Sequence, residues 1–187
     1  STLIPRNETE ELVNLILNYK FNSLLDIGTG SGCIAISIAK KTASSVSAID
    51  ISHQAISIAK KNAIINNVSV DFRVADIFNF DDKRKYDVIV SNPPYVCESD
   101  KQNLHKNVVD HEPHLALFVK DSNPLIFYKR IAQYALINLN KKGHLFFEIN
   151  EKYSNQIIEM LADLNFVEIE LKKDINDRNR IIKSSIK

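Results

Sequence analysis

The chain has only two cysteines among its 187 residues, Cys33 and Cys97, and they show no C-x-x-C spacing. That argues against a disulfide framework or a paired-thiol motif, and implies reduced thiols in a cytoplasmic protein. A basic excess is also missing: 24 Lys and Arg face 23 Asp and Glu, so no electrostatic footprint for stable nucleic-acid binding is expected. No apolar run approaches the ~20 residues needed to cross a bilayer. The opening STLIPRNETE lacks the basic and apolar regions of a secretory signal. Repeats, low-complexity tracts and clear linkers are absent, and the length suits one domain over 1–187 with a full core.

What is present is an alternation of apolar runs and helical patterns. SLLDI (23–27), SVSAID (45–50), VDFRV (70–74), YDVIVS (86–91), HLFFEI (144–149), FVEIEL (166–171) and RIIKSSI (180–186) read as strands. Between them, Asn7 with Glu10 has capping-box spacing before Leu12, Leu15 and Ile16. Ser52 reads as the cap of a helix through Ile56, Ala59 and Ala63. Asn123 and Pro124 open a helix that the pattern carries as far as Gly143, and Ile157, Ile158, Leu161 and Leu164 stripe a last one. The order predicts an α/β fold: a mostly parallel sheet with helices on both faces. KKDINDRN is too short for a crossover helix, so the last two strands are expected to form an antiparallel hairpin. The stretch Pro93 to Ser122 has no firm element, and loops of that length are usually functional or hold short helices.

Glycine is scarce, four in all, and three of the four fall in Gly28-Thr29-Gly30-Ser31-Gly32, where the first strand runs into a helix. Such a loop turns tightly and brings main-chain N–H groups to a ligand at the helix N-terminus. A dinucleotide fingerprint would require glycine where Cys33 stands, so the spacing suits a nucleoside ligand without a pyrophosphate. Asp50, at the end of the second strand and followed by Ile51, can accept both hydroxyls of a ribose. Asp76, past the third strand, can face an adenine amino group, with Ile77 and Phe78 beside the ring. Each of these residues ends a strand, where ligands bind in open α/β sheets.

On the same rim, behind the fourth strand, comes Asn92-Pro93-Pro94-Tyr95. The Asn92 side-chain oxygen and the Pro93 carbonyl can accept the two hydrogens of a planar –NH2 group, and Tyr95 offers a flat wall for it. Amide and aromatic amine nitrogens are poor nucleophiles because their lone pair is delocalised. Two acceptors orient the nitrogen and raise its electron density toward an electrophile such as a sulfonium methyl group. No strong base is required beforehand, because the proton turns acidic only on alkylation. A metal site is not expected: His111 and His114 have H-x-x-H spacing, but Pro113 breaks the helix and no third ligand is evident.

GTGSG, the AID ending at Asp50, the AD at Asp76 and SNPPY together resemble class I S-adenosylmethionine-dependent methyltransferases acting on planar –NH2 groups. Within them the chain is similar to the HemK/PrmC release-factor glutamine methyltransferases. LIPRNETEELV resembles that family's joining segment, HEPHLAL (111–117) its E-P-x-x-A-L signature, and LIFYKRI its following helix. Asn7 stands where the family usually has proline, and Asn123-Pro124 replaces a common Asp/Gly-Gly. The resemblance implies a Rossmann-like seven-stranded sheet with an antiparallel last strand. It also implies that residues 1–20 are the joining segment and helix, with the family's N-terminal helical domain absent. Gly28 to Gly32, Asp50, Ile51, Asp76, Ile77 and Asn92 would hold S-adenosyl-L-methionine, and later its product S-adenosyl-L-homocysteine. Asn92 to Tyr95 would take the glutamine of a class I peptide chain release factor, with neither membrane nor stable nucleic-acid partner. The alternative is methylation of an exocyclic amine of adenine or guanine in DNA or RNA, for which the same four residues suit; a non-catalytic cofactor-binding module is a third.

Overall fold

Strands β1 (Ser23–Ile27), β2 (Ser45–Asp50) and β4 (Tyr86–Ser91) form over the runs expected for them, and β3 (Asp71–Val74) starts one residue later. The computed structural model describes residues 7–94, 96, 97, 118, 119 and 122–187. Arg6, Tyr95 and the HEPHLAL signature, with His111 and His114, lie outside the described residues.

β1 pairs in parallel with β2 on one side and β4 on the other, and β2 pairs in parallel with β3. β4 in turn pairs in parallel with β7 (Leu139–Glu148). The expected hairpin is formed by β8 (Val167–Lys173) and β9 (Asn179–Ser185), and β9 inserts antiparallel between β7 and β8. The seven strands therefore run β3-β2-β1-β4-β7-β9-β8. Strand order reverses between β1 and β4, so their carboxyl ends flank the crevice in which such sheets take ligands.

Helices α1 (Asn7–Ile16), α2 (Cys33–Lys41) and α3 (His53–Ile65) cover one face. Leu12, Ile16, Ile34, Ile38, Ile56 and Ala59 pack there against Leu24, Val88, Val90 and Phe146. The other face is covered by α4 (Ile126–Asn138) and α5 (Ser154–Asp163). Tyr128, Ile131, Ile157 and Leu161 meet Leu25, Ile89, Leu145 and Phe147. Each large side chain removed from water contributes about 1.5–3 kcal/mol before the entropy of ordering it. Alternate residues of β1, β4 and β7 thus feed two cores, as expected of strands buried on both faces.

Two local expectations differ from the structure. Ser52 caps α3 as read, its hydroxyl accepting from the Ala55 amide at 3.2 Å. Asn123, however, does not cap α4 through its side chain. The helix begins at Ile126, whose amide donates to the Asn123 carbonyl at 3.3 Å. It also ends at Asn138, so Gly143 is a strand residue and not a helix terminator. A Cβ on Gly143 would stand 2.8 Å from the Asn140 carbonyl oxygen and 3.1 Å from that of Asp87. Between Tyr86 and Val88 the β4–β7 register shifts, because β7 accommodates the extra residues 140–143 there. The stretch read as lacking firm elements contains a short parallel pair, β5 (Val96–Cys97) with β6 (Phe118–Val119). Among the described residues, no helix is long and apolar enough to cross a membrane.

Candidate active site

The glycine loop leaves β1 with Gly28, Gly30 and Gly32 at φ +73°, +57° and +84°, left-handed conformations in which a side chain is strained. A Cβ on Gly28 or Gly30 would meet no atom within 4 Å, so their requirement is conformational. Gly32 is needed for space as well, since its Cβ would approach Ile36 Cδ1 to 2.9 Å and Ala59 Cβ to 3.1 Å. That close approach seats α2 against α3. The amides of Gly28 and Thr29 both donate to the Ile49 carbonyl, and Asn62 of α3 donates to the Ser31 carbonyl.

Asp50 ties this loop to the end of β2. One carboxylate oxygen accepts from the Gly30 amide and the other from the Ser52 amide, each at 2.9 Å. Ile51, beside it, is 55% exposed on the rim. The Ala75 amide donates to the Asp50 carbonyl and carries the chain toward Asp76. Asp76 closes a turn on itself, accepting from the Phe78 amide at 3.0 Å and the Asn79 side-chain amide at 3.2 Å. Within that turn Ile77 is packed into the core at 7% exposure, while Phe78 remains 39% exposed. The glycine loop, Asp50 and Asp76 are thus consecutive along one rim.

Asn92, Pro93 and Pro94 join them from the next strand. Ser91 at the end of β4 donates its hydroxyl to the Ile27 carbonyl at 2.7 Å, locking the two strand ends that carry the glycine loop and Asn92. Asn92 and Pro94 are half-buried and Pro93 is buried.

Three further polar residues lie under this rim, of which Asp26 and Glu148 were not singled out in the sequence. Asp26 of β1 is fully buried; Thr29 donates to its Oδ2 at 2.6 Å, while its Oδ1 has no partner among the described residues. The Thr29 hydroxyl is therefore engaged by the protein itself. Burial pushes the Asp26 carboxyl up from 3.8 to about 7 against the pull of the Thr29 bond, and nearby Asp50 adds to the rise. Glu148, 2% exposed at the end of β7, accepts from the Thr9 hydroxyl at 2.9 Å and holds the first turn of α1 to the sheet. Cys33 opens α2, a position that would ordinarily favour a thiolate. Burial pushes its thiol up instead, and Asp26, Glu10 and Glu148 add to the effect. The visible signal for Asp26 and Glu148 was a single acid inside an apolar strand run.

The site can therefore offer close main-chain approach at a glycine loop whose Gly28, Thr29, Gly30 and Gly32 amides are engaged within the protein, a carboxylate pair at two strand ends, and an acidic surround. That donor set fits a nucleoside carrying positive charge; phosphates would meet repulsion. Among the described residues, no group of three or more His, Cys, Asp and Glu is placed to hold a metal ion. A cavity of about 690 Å³ lies elsewhere, at the opposite ends of the strands, lined by Tyr19, Phe21, Thr42, Asp87 and His144 among others. It shares no residue with the rim.

Residues 7–116 match a family model described as the methyltransferase small domain. The chain is 50% identical to the release factor glutamine methyltransferase of Flavobacterium psychrophilum, over 98% of this chain and 67% of that protein. It is 48% identical to the enzyme of the same name from Bacteroides thetaiotaomicron, over 96% of this chain and 66% of that protein. The chain therefore spans about two thirds of the length of these curated relatives. A methyltransferase from Pyrococcus furiosus superposes with a TM-score of 0.73 at 18% identity, covering 99% of this chain and 85% of that one. That likeness bears on the fold, and it agrees with a Rossmann-like class I methyltransferase sheet.

Proposed function

The chain belongs to the release factor glutamine methyltransferase family, and from that premise we propose that it methylates the side-chain amide nitrogen of the glutamine in the Gly-Gly-Gln motif of a class I peptide chain release factor. The observation that carries this reading is the union of two half-sites at the β1–β4 switch point, the glycine loop and Asn92-Pro93-Pro94, held by the Ser91–Ile27 bond. One half suits a cofactor and the other an –NH2 group.

S-adenosyl-L-methionine, bound at the first half, supplies an electrophilic sulfonium methyl group and leaves as S-adenosyl-L-homocysteine. Gly28 to Gly32 approach it through the main chain, Asp50 and Ile51 meet the ribose side, and Asp76 with Ile77 the adenine side. The rim carboxylates of Asp50 and Asp76 favour a cationic cofactor over its neutral product. Asn92 and the Pro93 carbonyl accept the two amide hydrogens of the glutamine. This arrangement turns the nitrogen lone pair toward the cofactor's side of the crevice and removes the need for a strong base.

The test is incubation with methyl-labelled S-adenosyl-L-methionine and a purified release factor, set beside DNA and ribosomal RNA. Label is expected on the factor and should vanish when the motif's glutamine is replaced by alanine. Label entering only nucleic acid would overturn the assignment in favour of an exocyclic base amine.

A further inference from the structure

The turn Asp76–Asn79 follows an edge strand of only four residues and is succeeded by irregular chain up to β4. Its own carboxylate satisfies its amides, which settles its internal shape. The Asp76 carbonyl accepts from the Asn79 amide at 2.9 Å, but the other carbonyls of this irregular backbone near a core need donors outside the turn. The carbonyl of Ile77 within the turn and that of Phe80 just beyond it find the same donor. Arg130, on the half-buried flank of α4, donates Nε to the Ile77 carbonyl at 2.8 Å and Nη2 to the Phe80 carbonyl at 3.5 Å. The first bond spans 53 residues of sequence. Phe127, one turn earlier on the same helix, meets the Phe78 ring edge-on with centroids 5.4 Å apart. Beyond the turn, Phe80 stacks on Tyr134 of α4 at 5.6 Å. A single helix thus holds the turn from below by charge and from the side by rings, and Ile77 is pinned into the core between them.

We propose that Arg130 is a positioning residue for the cofactor's base: its guanidinium, bridging the Ile77 and Phe80 carbonyls, sets where the Asp76–Asn79 turn stands on the rim. The proposal rests on the reading of that turn as the adenine side of the site. An arginine suits the task because its planar fork donates in two fixed directions and stays charged at any working pH. Lysine would supply one donor without the fork. The consequence is selectivity as well as affinity. A turn held at one height distinguishes an amino group from a carbonyl at the base edge, and a turn released from α4 adapts to either.

The measurement is calorimetric binding of S-adenosylhomocysteine and of S-inosylhomocysteine, which carries a carbonyl in place of the adenine amine. Wild type, Arg130→Ala, Arg130→Lys and Asp50→Ala are compared. Arg130→Ala should weaken S-adenosylhomocysteine about tenfold, on the order of one charge-assisted hydrogen bond. It should also narrow the preference over the inosine analogue, and Arg130→Lys should fall between it and wild type. In turnover, KM for the cofactor should rise more than kcat falls. An Arg130→Ala protein that keeps both affinity and preference, while Asp50→Ala loses affinity, overturns the role of Arg130 and leaves the site reading standing. A wild type indifferent to the two analogues overturns the adenine assignment of the turn, and the role of Arg130 with it. Should Arg130→Ala not fold, Arg130→Lys alone decides: unchanged preference in that variant overturns the proposal.

Discussion

Asp26 and Asp87 sit on neighbouring strands at opposite ends of the sheet, and the protein treats the two carboxylates differently. Asp87, at the amino end of β4, accepts from the amides of Asn22 and Ser23 and from the Asn140 side chain at 2.7–3.1 Å. Burial alone would raise its carboxyl, but these bonds outweigh it and hold the group below its ordinary value. Asp26, at the carboxyl end of β1, has one bonded oxygen and one without a partner, and burial carries it up to about 7. A carboxylate whose lone pairs are spent on its own backbone is a structural joint. One left half-engaged in a low-dielectric layer costs stability, and costs of that kind gather where a protein binds or reacts.

The contrast between rim and base can be broken most forcefully at Asn92. Asn92→Ala should lower kcat about a thousandfold, through lost orientation of the amide, while denaturant unfolding stays near wild type. Calorimetry showing lost cofactor binding would instead place Asn92 in the cofactor half. At the other end the outcome should invert. Asp87→Ala leaves its three donors unmatched and should cost about 1–3 kcal/mol of unfolding free energy, with methyl transfer unaffected at a temperature where the variant is folded. Because its folded pKa is depressed, the Asp87 contribution is complete at neutral pH and is lost as pH falls through that folded value. The smallest effect is the most specific. Between roughly pH 4 and 7 the folded protein holds on Asp26 a proton that the unfolded chain has released, so stability should fall as pH rises through that window and level off above it. Asp26→Asn keeps an acceptor for Thr29 and removes the titration. Urea unfolding of wild type and variant at both ends of the window should show the wild type losing ground; parallel curves would refute the raised value.

Much of this was legible in one dimension because the residues concerned act near themselves. The runs of β1, β2 and β4 are apolar at most of their buried positions, and Ser52 caps α3 across three residues. Gly28 to Gly32, Asp50, Asp76 and Asn92 each begin at the end of a strand or within two residues of it, so recognising the strands placed all four on one rim. What could not be read is what depends on distant partners. The true end of α4 and the added residues in β7 follow from how Asn140 and Gly143 pack on Asp87, far back in the chain. Asp26 and Glu148 look like ordinary strand acids until Thr29, Thr9 and the covering helices close over them.

The sequence by itself determined most of the elements and the chemistry available at each strand end, because periodicity, turn geometry and side-chain donors are properties of short stretches, and its motifs carried the resemblance to the family. Only the tertiary structure decided that β4 lies against β1, that a threonine 139 residues away clasps Glu148, and that Arg130 reaches the turn after β3. Those are long-range pairings, chosen by burial of the whole sheet. The dielectric that lifts Asp26 to about 7 exists only once that burial is complete.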